Sequence, residues 1–154
     1  MARVLIVGCG GRGQALAREL AAGGHAVRGT SRDPRRFADI EAAGAEPAIA
    51  DPDRVATLME PLAAVTIVCW LMGTAPRGDL HTHRLRMLCE KLVDTPVRGL
   101  VYECSGAAAA GLPVVEDARA RWNIPLAPLD TPPSDCEAWT TAAVTAVEHL
   151  LAPR

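Results

Sequence analysis

The chain has 154 residues, the size of a single domain that buries a core without disulfide or metal crosslinks. Its formal charge of -2 gives no reason to expect nucleic acid or an anionic membrane as a partner. The longest apolar run, 62–72, is far too short to span a bilayer. No long apolar segment opens the chain and no C-x-x-C pair occurs, so we expect free thiols in a cytoplasmic protein.

Short apolar runs alternate with helical patterns along the whole chain. The runs predict six strands, at 2–7, 26–30, 46–49, 64–71, 98–104 and 126–129. Helices are predicted between and after them, at 11–22, from Asp33-Pro34 to about Gly44, from Asp51-Pro52, at 79–93, at 113–122 and after a capping box at 134–137 that begins with Ser134. This alternation predicts one α/β domain over 1–154, a doubly wound parallel Rossmann sheet with strand order 3-2-1-4-5-6 and helices on both faces.

Two of the predicted helices carry an apolar stripe. Leu85, Leu88 and Leu92 share one face of the helix at 79–93, and the last helix has Trp139, Ala143, Val147 and Leu150 or Leu151 in register. The first stripe either packs on its own sheet or serves as the interface of a homodimer, so a homodimer is one expectation.

A glycine loop follows the first predicted strand. Gly8, Gly10 and Gly13 fit the pattern G-x-G-x-x-G, which gains meaning from standing between a strand and a helix. In that setting Gly8 permits a tight turn, Gly10 lets a pyrophosphate approach the backbone, and Gly13 lets the helix pack closely. Gly11, inside the same loop, is also expected to bind the cofactor. The free N–H groups of the helix start would bind the phosphates. The alternative is a glycine turn that binds nothing.

The end of the second strand indicates which dinucleotide is bound. NAD-binding proteins usually place a carboxylate about twenty residues after the loop, on the ribose 2′-hydroxyl. Here Thr30, Ser31 and Arg32 occupy that place, and the next acid, Asp33, is expected to cap a helix. Two hydroxyls and an arginine suit a 2′-phosphate, which Arg12 of the glycine loop could also reach, so NADP(H) is expected in preference to NAD(H). The alternative is a solvated arginine beside a serine turn.

At this point the chain resembles the short-chain dehydrogenase/reductase superfamily, in particular its extended and atypical, epimerase/dehydratase-like members, over about residues 1–130. Ala50-Asp51 resembles the position of the adenine-contacting Asp. The segment 69–75 resembles the part of strand four that lines the nicotinamide side, which implies roles for Leu71 and Gly73. The segment 101–106 resembles strand five, whose Ser or Thr assists catalysis, which implies Ser105.

The catalytic pair of that superfamily is missing. Its chemistry needs a Tyr with a Lys four residues later, but the single tyrosine, Tyr102, is followed by Gly106 at that spacing and stands in a strand. The family's C-terminal substrate region has no counterpart either. Ser105 and Glu103 remain as candidate catalytic groups, with Asp130 as a weaker one. Glu103 lies either at a solvated strand end, the preferred interpretation, or facing the cofactor cleft.

The sequence is compatible with three functions. The first is a binding or sensor protein for NADP(H) that lacks the standard short-chain dehydrogenase chemistry. The second is a small NADP-dependent oxidoreductase or epimerase-like enzyme that uses Ser105 and Glu103. The third is an interaction protein that has lost its cofactor, against which the intact glycine loop argues. His81 and His83 stand two residues apart on a predicted helix and do not face each other, so no metal site is expected.

Overall fold

The computed structural model describes residues 2–72 and 82–153. Within them, six parallel strands form one sheet in the order β3-β2-β1-β4-β5-β6. The strands are β1 (Arg3–Val7), β2 (Ala26–Ser31), β3 (Glu46–Ile49), β4 (Ile67–Trp70), β5 (Gly99–Glu103) and β6 (Leu126–Leu129). The predicted fold class and strand order are therefore confirmed.

Five α-helices lie on the two faces of the sheet in the described part of the chain. They are α1 (Gly11–Ala22), α2 (Phe37–Ala42), α3 (His83–Leu92), α4 (Leu112–Trp122) and α5 (Cys136–Leu151). Asp33 caps the chain entering α2 as expected, because its carboxylate accepts the Arg35 backbone N–H at 3.0 Å. The cap of α5 is Asp135, which accepts the Ala138 N–H at 3.0 Å, so the expectation of Ser134 is wrong by one residue. A carboxylate is the stronger acceptor for a helix N–H than a hydroxyl.

The helix expected to start at Asp51-Pro52 does not form. Turns and one short 3₁₀ helix, Val55–Leu58, take its place. The Asp51 carboxylate accepts the Asp53 N–H at 3.0 Å, while the Thr57 hydroxyl bonds both the N–H and the carbonyl of Asp51. Such local bonds between side chain and backbone compete with the regular helical pattern.

The core has two halves because alternate residues of each strand point to opposite faces. Val4 and Ile6 face the layer that contains α1, α2 and α5. Leu5 and Val7 face the layer that contains α3 and α4. The predicted stripes lie in these two halves, with Leu85, Leu88 and Leu92 in the second half and Trp139, Ala143, Val147 and Leu150 in the first. Because the α3 stripe is at most 2% exposed, it is a core face of this chain and does not by itself argue for a dimer.

The strand order reverses direction between β1 and β4, so a crevice opens at the carboxyl ends of these strands. The glycine loop follows β1 directly at this edge. In the described residues no helix is long and apolar enough to cross a membrane.

Candidate functional site

The glycine loop contains two glycines that the packing requires. Gly8 has φ +89°, and a Cβ there would lie 2.7 Å from the Leu71 carbonyl oxygen. A Cβ on Gly13 would lie 3.0 Å from the Gly8 carbonyl oxygen, so α1 approaches the loop closely only without a side chain. Gly10 and Gly11 differ, because a Cβ on either would meet nothing within 4 Å. Packing does not require glycine at these two positions, but the open space beside them leaves room for a ligand.

The start of α1 is an uncapped helix N-terminus. Gly10 is its N-cap residue, no side chain caps it, and its first turn contains no acid. The loop is held by the Gly10 N–H donating to the Gly8 carbonyl at 2.9 Å and the Gln14 N–H donating to the Gly10 carbonyl at 2.8 Å. The N–H groups of residues 11–13 have no acceptor within the helix, since the first turn never does. Together with the helix dipole they form a site for an anion.

A cleft of about 420 Å³ opens beside this helix start. Seven residues predicted from the sequence line it: Gly8, Gly10, Gly11, Thr30, Ser31, Arg32 and Leu71. Five lining residues were not predicted: Cys9, Arg36, Ala50, Pro52 and Met72. The predicted Gly73 and also His81 lie outside the described residues.

The hydroxyls at the end of β2 already have partners in the protein. The Thr30 hydroxyl accepts the Gly8 N–H at 3.4 Å and its carbonyl accepts the Cys9 N–H at 3.1 Å, so Thr30 braces the glycine loop. The Ser31 hydroxyl accepts the Asp33 N–H and donates to the Asp33 carbonyl, both at 3.1 Å. Ser31 thus forms the serine turn that was the alternative interpretation, while still lining the cleft.

Two arginines at the mouth of the cleft have no hydrogen bond or ion pair through their guanidinium groups within the described residues. Both Arg32 and Arg36 are exposed and line the cleft. Arg35, which lies between them, points elsewhere and pairs with Asp33 at 3.0 Å. That bond lowers the pKa of the Asp33 carboxyl, so the turn keeps its acid ionised and occupied. Sequence reasoning missed Arg36, although its spacing of four from Arg32 around an Asp-Pro helix start was a usable signal.

The Arg12 side chain is engaged by residues of β5 and α5. Its guanidinium forms an ion pair with Glu103 and lies over the Trp139 ring, 5.3 Å from the centroid. The Trp139 indole N–H donates to the same Glu103 oxygen at 3.1 Å. Glu103 is 0% exposed, so the preferred interpretation of a solvated strand end is wrong: two partners from other elements let the carboxylate be buried.

Energetics favour Arg12 staying with Glu103 when an anion binds nearby. Breaking a buried ion pair by removing one partner destabilises a protein by about 3–5 kcal/mol. A hydrogen bond to a charged group contributes about 1.5–3 kcal/mol. These magnitudes favour the contact with Glu103 over one with a phosphate, and the contact of Arg12 with a 2′-phosphate stays a prediction from the sequence. The same pairing occupies the Glu103 carboxylate, which the sequence suggested as an acid or base.

The other candidate groups have structural roles or lie off the cleft. Tyr102 is fully buried, and its hydroxyl donates to the Ala108 carbonyl at 2.7 Å. Burial raises the pKa of Tyr102 well above its usual range, so it is a poor acid or base. Ser105 is half-buried before the 3₁₀ helix Gly106–Gly111, its side chain caps nothing, and it is not among the lining residues. Asp51 is not on the lining either, although both of its neighbours are.

Metal ligands are not clustered in the part of the chain that the structure describes. No group of three His, Cys, Asp or Glu side chains there could hold an ion. Cys9, Cys69 and Cys89 are free and buried, and Cys136 is free and exposed. Cys104 is also free and is half-buried, so all five thiols are free, as the sequence led us to expect.

One protein family matches the first part of this chain. The family described as "NADP oxidoreductase coenzyme F420-dependent" matches residues 3–69, fewer than half of the 154. The match runs from β1 into β4 and so contains the glycine loop and the end of β2. No curated protein matches the sequence.

Several solved structures are similar in fold. One is an NAD-dependent epimerase/dehydratase-like protein from Bacillus halodurans, 14% identical with a TM-score of 0.68, matched over 83% of this chain and 69% of the other. A second is the Citrobacter sp. triphenylmethane reductase in complex with NADP(H), 18% identical with a TM-score of 0.64, matched over 82% and 48%. A third is an NADPH-dependent quinone oxidoreductase from Escherichia coli, 20% identical with a TM-score of 0.64, matched over 95% and 53%.

These identities are low enough that the likeness establishes the fold and no more. The chain has the Rossmann fold of NAD(P)-dependent reductases and epimerase/dehydratase-like proteins, as the resemblance in its sequence implied. It spans about half the length of most of these relatives, for example 48% of the triphenylmethane reductase and 53% of the quinone oxidoreductase.

Proposed function

We propose that this protein binds NADP(H) in the cleft at the carboxyl ends of β1, β2 and β4. One observation carries the proposal: the uncapped start of α1 borders the same cleft as the guanidinium groups of Arg32 and Arg36, which have no partner among residues 2–72 and 82–153. A diphosphate and a ribose 2′-phosphate are the two anionic parts of NADP(H), and the cleft offers one anion site for each.

The parts of the cofactor are assigned by the chemistry of the lining. The pyrophosphate binds at Gly10 and Gly11, where the backbone is bare and the helix N–H groups are free. The 2′-phosphate binds between Arg32 and Arg36, and the adenine ring packs on Ala50 and Pro52. The nicotinamide half extends past Leu71. No carboxylate stands among the described lining residues, which supports a phosphate over a free ribose hydroxyl.

The comparisons support the same cofactor. The family description names NADP, and two of the similar structures are described as an NADP(H) complex and an NADPH-dependent enzyme. The family description also names coenzyme F420, but the match is confined to residues 3–69, where the dinucleotide loop lies. The match therefore supports NADP(H) and carries no argument about a second coenzyme.

We propose further that the protein is a cofactor-binding or sensor-type protein without the standard short-chain dehydrogenase chemistry. Tyr102 is buried against a backbone carbonyl, and Glu103 is engaged by Arg12 and Trp139. The alternative is a small NADP-dependent oxidoreductase or epimerase-like enzyme. It is favoured by the reductases among the similar structures and by the half-buried Ser105 at the end of β5. Consumption of NADPH against a panel of quinones and carbonyl compounds separates the two functions.

The cofactor assignment is tested by titrating NADPH and NADH into matched variants. Arg32→Ala and Arg36→Ala should each weaken NADPH on the order of tenfold, because one exposed charged contact contributes near the low end of about 1.5–3 kcal/mol. NADH binding should change little. Arg35→Ala is the control, since Arg35 sits between the other two and pairs with Asp33 away from the cleft. An equal loss of both cofactors in Arg32→Ala and Arg36→Ala would contradict the assignment.

Two expectations stand beside this proposal. We propose a cytoplasmic location, supported by three buried free thiols, and cell fractionation tests it. We also keep a homodimer as a prediction, because the superfamily that the sequence resembles pairs through helices flanking the sheet; α3 itself buries its apolar stripe. Light scattering at tens of micromolar, roughly the range in which modest interfaces form, tests the dimer.

A further inference from the structure

We infer that Glu103 and Trp139 are positioning residues for dinucleotide binding, acting through Arg12 on the start of α1. This inference rests on the proposed function, because it concerns the anion site formed by that helix start. It assigns a role to the second half of the chain, which lies beyond the family match at 3–69.

Three separate elements meet at one carboxylate oxygen. Glu103 is the last residue of β5, Arg12 is the second residue of α1, and Trp139 lies in the first turn of α5. Arg12 and the Trp139 indole N–H both contact Oε2 of Glu103, and the Arg12 guanidinium covers the Trp139 ring at 5.3 Å. Glu103 is 0% exposed, whereas the Arg12 side chain is 21% exposed. Glu103 and Trp139 therefore hold the Arg12 guanidinium through two contacts, an ion pair and a ring contact.

Arg12 connects these contacts to the proposed cofactor site. Its side chain is held by Glu103 and Trp139, while its backbone N–H is one of the free donors of the first turn of α1. The glycines on both sides, Gly11 and Gly13, give this turn no side chain of its own to anchor it. An anion site made of backbone N–H groups binds well only when those groups are already oriented. The Glu103 carboxylate thus orients them without touching the cofactor.

Under this inference, Arg12 makes no direct contact with the 2′-phosphate. Arg32 and Arg36 line the cleft and Arg12 does not. Loss of the Glu103 contact should consequently weaken NADPH and NADH by the same factor. Loss of Arg32 should change the ratio between them. The ratio of the NADPH and NADH affinities therefore distinguishes a positioning residue such as Glu103 from a residue that contacts the 2′-phosphate, such as Arg32.

The experiment compares Glu103→Gln with Glu137→Gln in the full chain. Glu137 is the matched control, because it is an exposed carboxylate in the first turn of α5, the turn that also contains Trp139. We expect Glu103→Gln to weaken NADPH and NADH alike, on the order of tenfold, and to leave their affinity ratio unchanged. Amide hydrogen exchange, measured without cofactor, should become faster at Gly10 and Gln14, while the Leu71 amide, bonded to Val7, stays protected.

Trp139→Phe gives a second variant in case Glu103→Gln fails to fold. It keeps a ring under Arg12 and removes only the indole donor, so the same pattern should appear with a smaller amplitude. A variant with lowered thermal stability but unchanged affinities and unchanged exchange at Gly10 and Gln14 would overturn the inference, leaving a structural role. Loss of NADPH alone would overturn it too, by placing Arg12 at the 2′-phosphate.

Failure of the proposed function gives a different result. A parent protein that binds neither dinucleotide contradicts the NADP(H) assignment. The exchange rates at Gly10 and Gln14 would still decide whether Glu103 orders the start of α1.

Discussion

Replacing Gly10 by valine separates the binding role of the glycine loop from its structural role. Gly10 has φ -83° and ψ -156°, which a valine adopts without entering the left-handed region. A Cβ at this position meets no atom within 4 Å, so the side chain enters open space. The one structural penalty is a poorer N-cap, about 0.5–1 kcal/mol. For a domain of this size that lowers Tm by roughly 1–4 °C.

The effect of Gly10→Val on binding should be much larger. The side chain fills the place proposed for the pyrophosphate and removes at least two hydrogen bonds to a charged group, together about 3–6 kcal/mol. That corresponds to a loss on the order of 10²–10⁴-fold in affinity, since about 1.4 kcal/mol is a factor of ten. Calorimetric titration with NADPH measures the affinity, and differential scanning calorimetry measures Tm.

The matched comparison is Gly8→Ala in the same loop. Gly8 has φ +89°, and its Cβ would lie 2.7 Å from the Leu71 carbonyl oxygen, so even one methyl group forces the backbone to move. We expect Gly8→Ala to lower Tm more than Gly10→Val does. The reasoning is refuted if Gly10→Val binds NADPH as tightly as the parent protein, because the loop would then be only a turn.

Two further predictions concern buried titratable groups. Tyr102→Phe removes the hydroxyl that donates to the buried Ala108 carbonyl, so it should destabilise the protein by about 1–3 kcal/mol and leave the NADPH affinity unchanged. Reduced NADP-linked turnover at constant Tm would instead make Tyr102 catalytic. Burial raises the pKa of the Cys9 thiol to about 11 and of the Cys69 and Cys89 thiols to about 12, from an ordinary value of 9.0. The fold thus favours the protonated thiols, so stability is complete below pH 9 and falls as the pH rises toward 11, by up to about 1.4 kcal/mol per thiol per pH unit. Urea unfolding under reducing conditions at pH 8 and pH 10 checks this, and equal free energies of unfolding at the two values would contradict it.

The fold could be predicted because its signals are local. Each strand is an apolar run of a few residues and each long helix has a stripe of period 3.6, so the alternation alone implies a parallel sheet with crossover helices. The glycine loop was predictable for the same reason, because strand, glycines and helix are contiguous in the chain. The helix expected at Asp51-Pro52 failed where side-chain bonds of Asp51 and Thr57 to the backbone replaced the helical ones.

The site was predictable only in its contiguous parts. Arg12 and Glu103 are separated by 91 residues. A sequence pattern does not show that two side chains so far apart along the chain meet at the edge of the sheet. The sequence therefore assigned Arg12 to the 2′-phosphate and Glu103 to a solvated edge. Glu103 is buried instead, and its ion pair holds the Arg12 side chain at the end of β5. Arg36 was missed because it was interpreted as part of a helix start, while the short turn after Asp33 brings it back beside Arg32 at the cleft.

The ratio of the NADPH and NADH dissociation constants of the parent protein tests the central claim most directly. Both are measured by calorimetry at low ionic strength, where exposed arginine–phosphate attraction is least screened, and again at high salt. We expect NADPH to bind at least about tenfold more tightly than NADH at low salt, and the preference to shrink at high salt. Equal dissociation constants at low salt, or binding of neither dinucleotide, would contradict it.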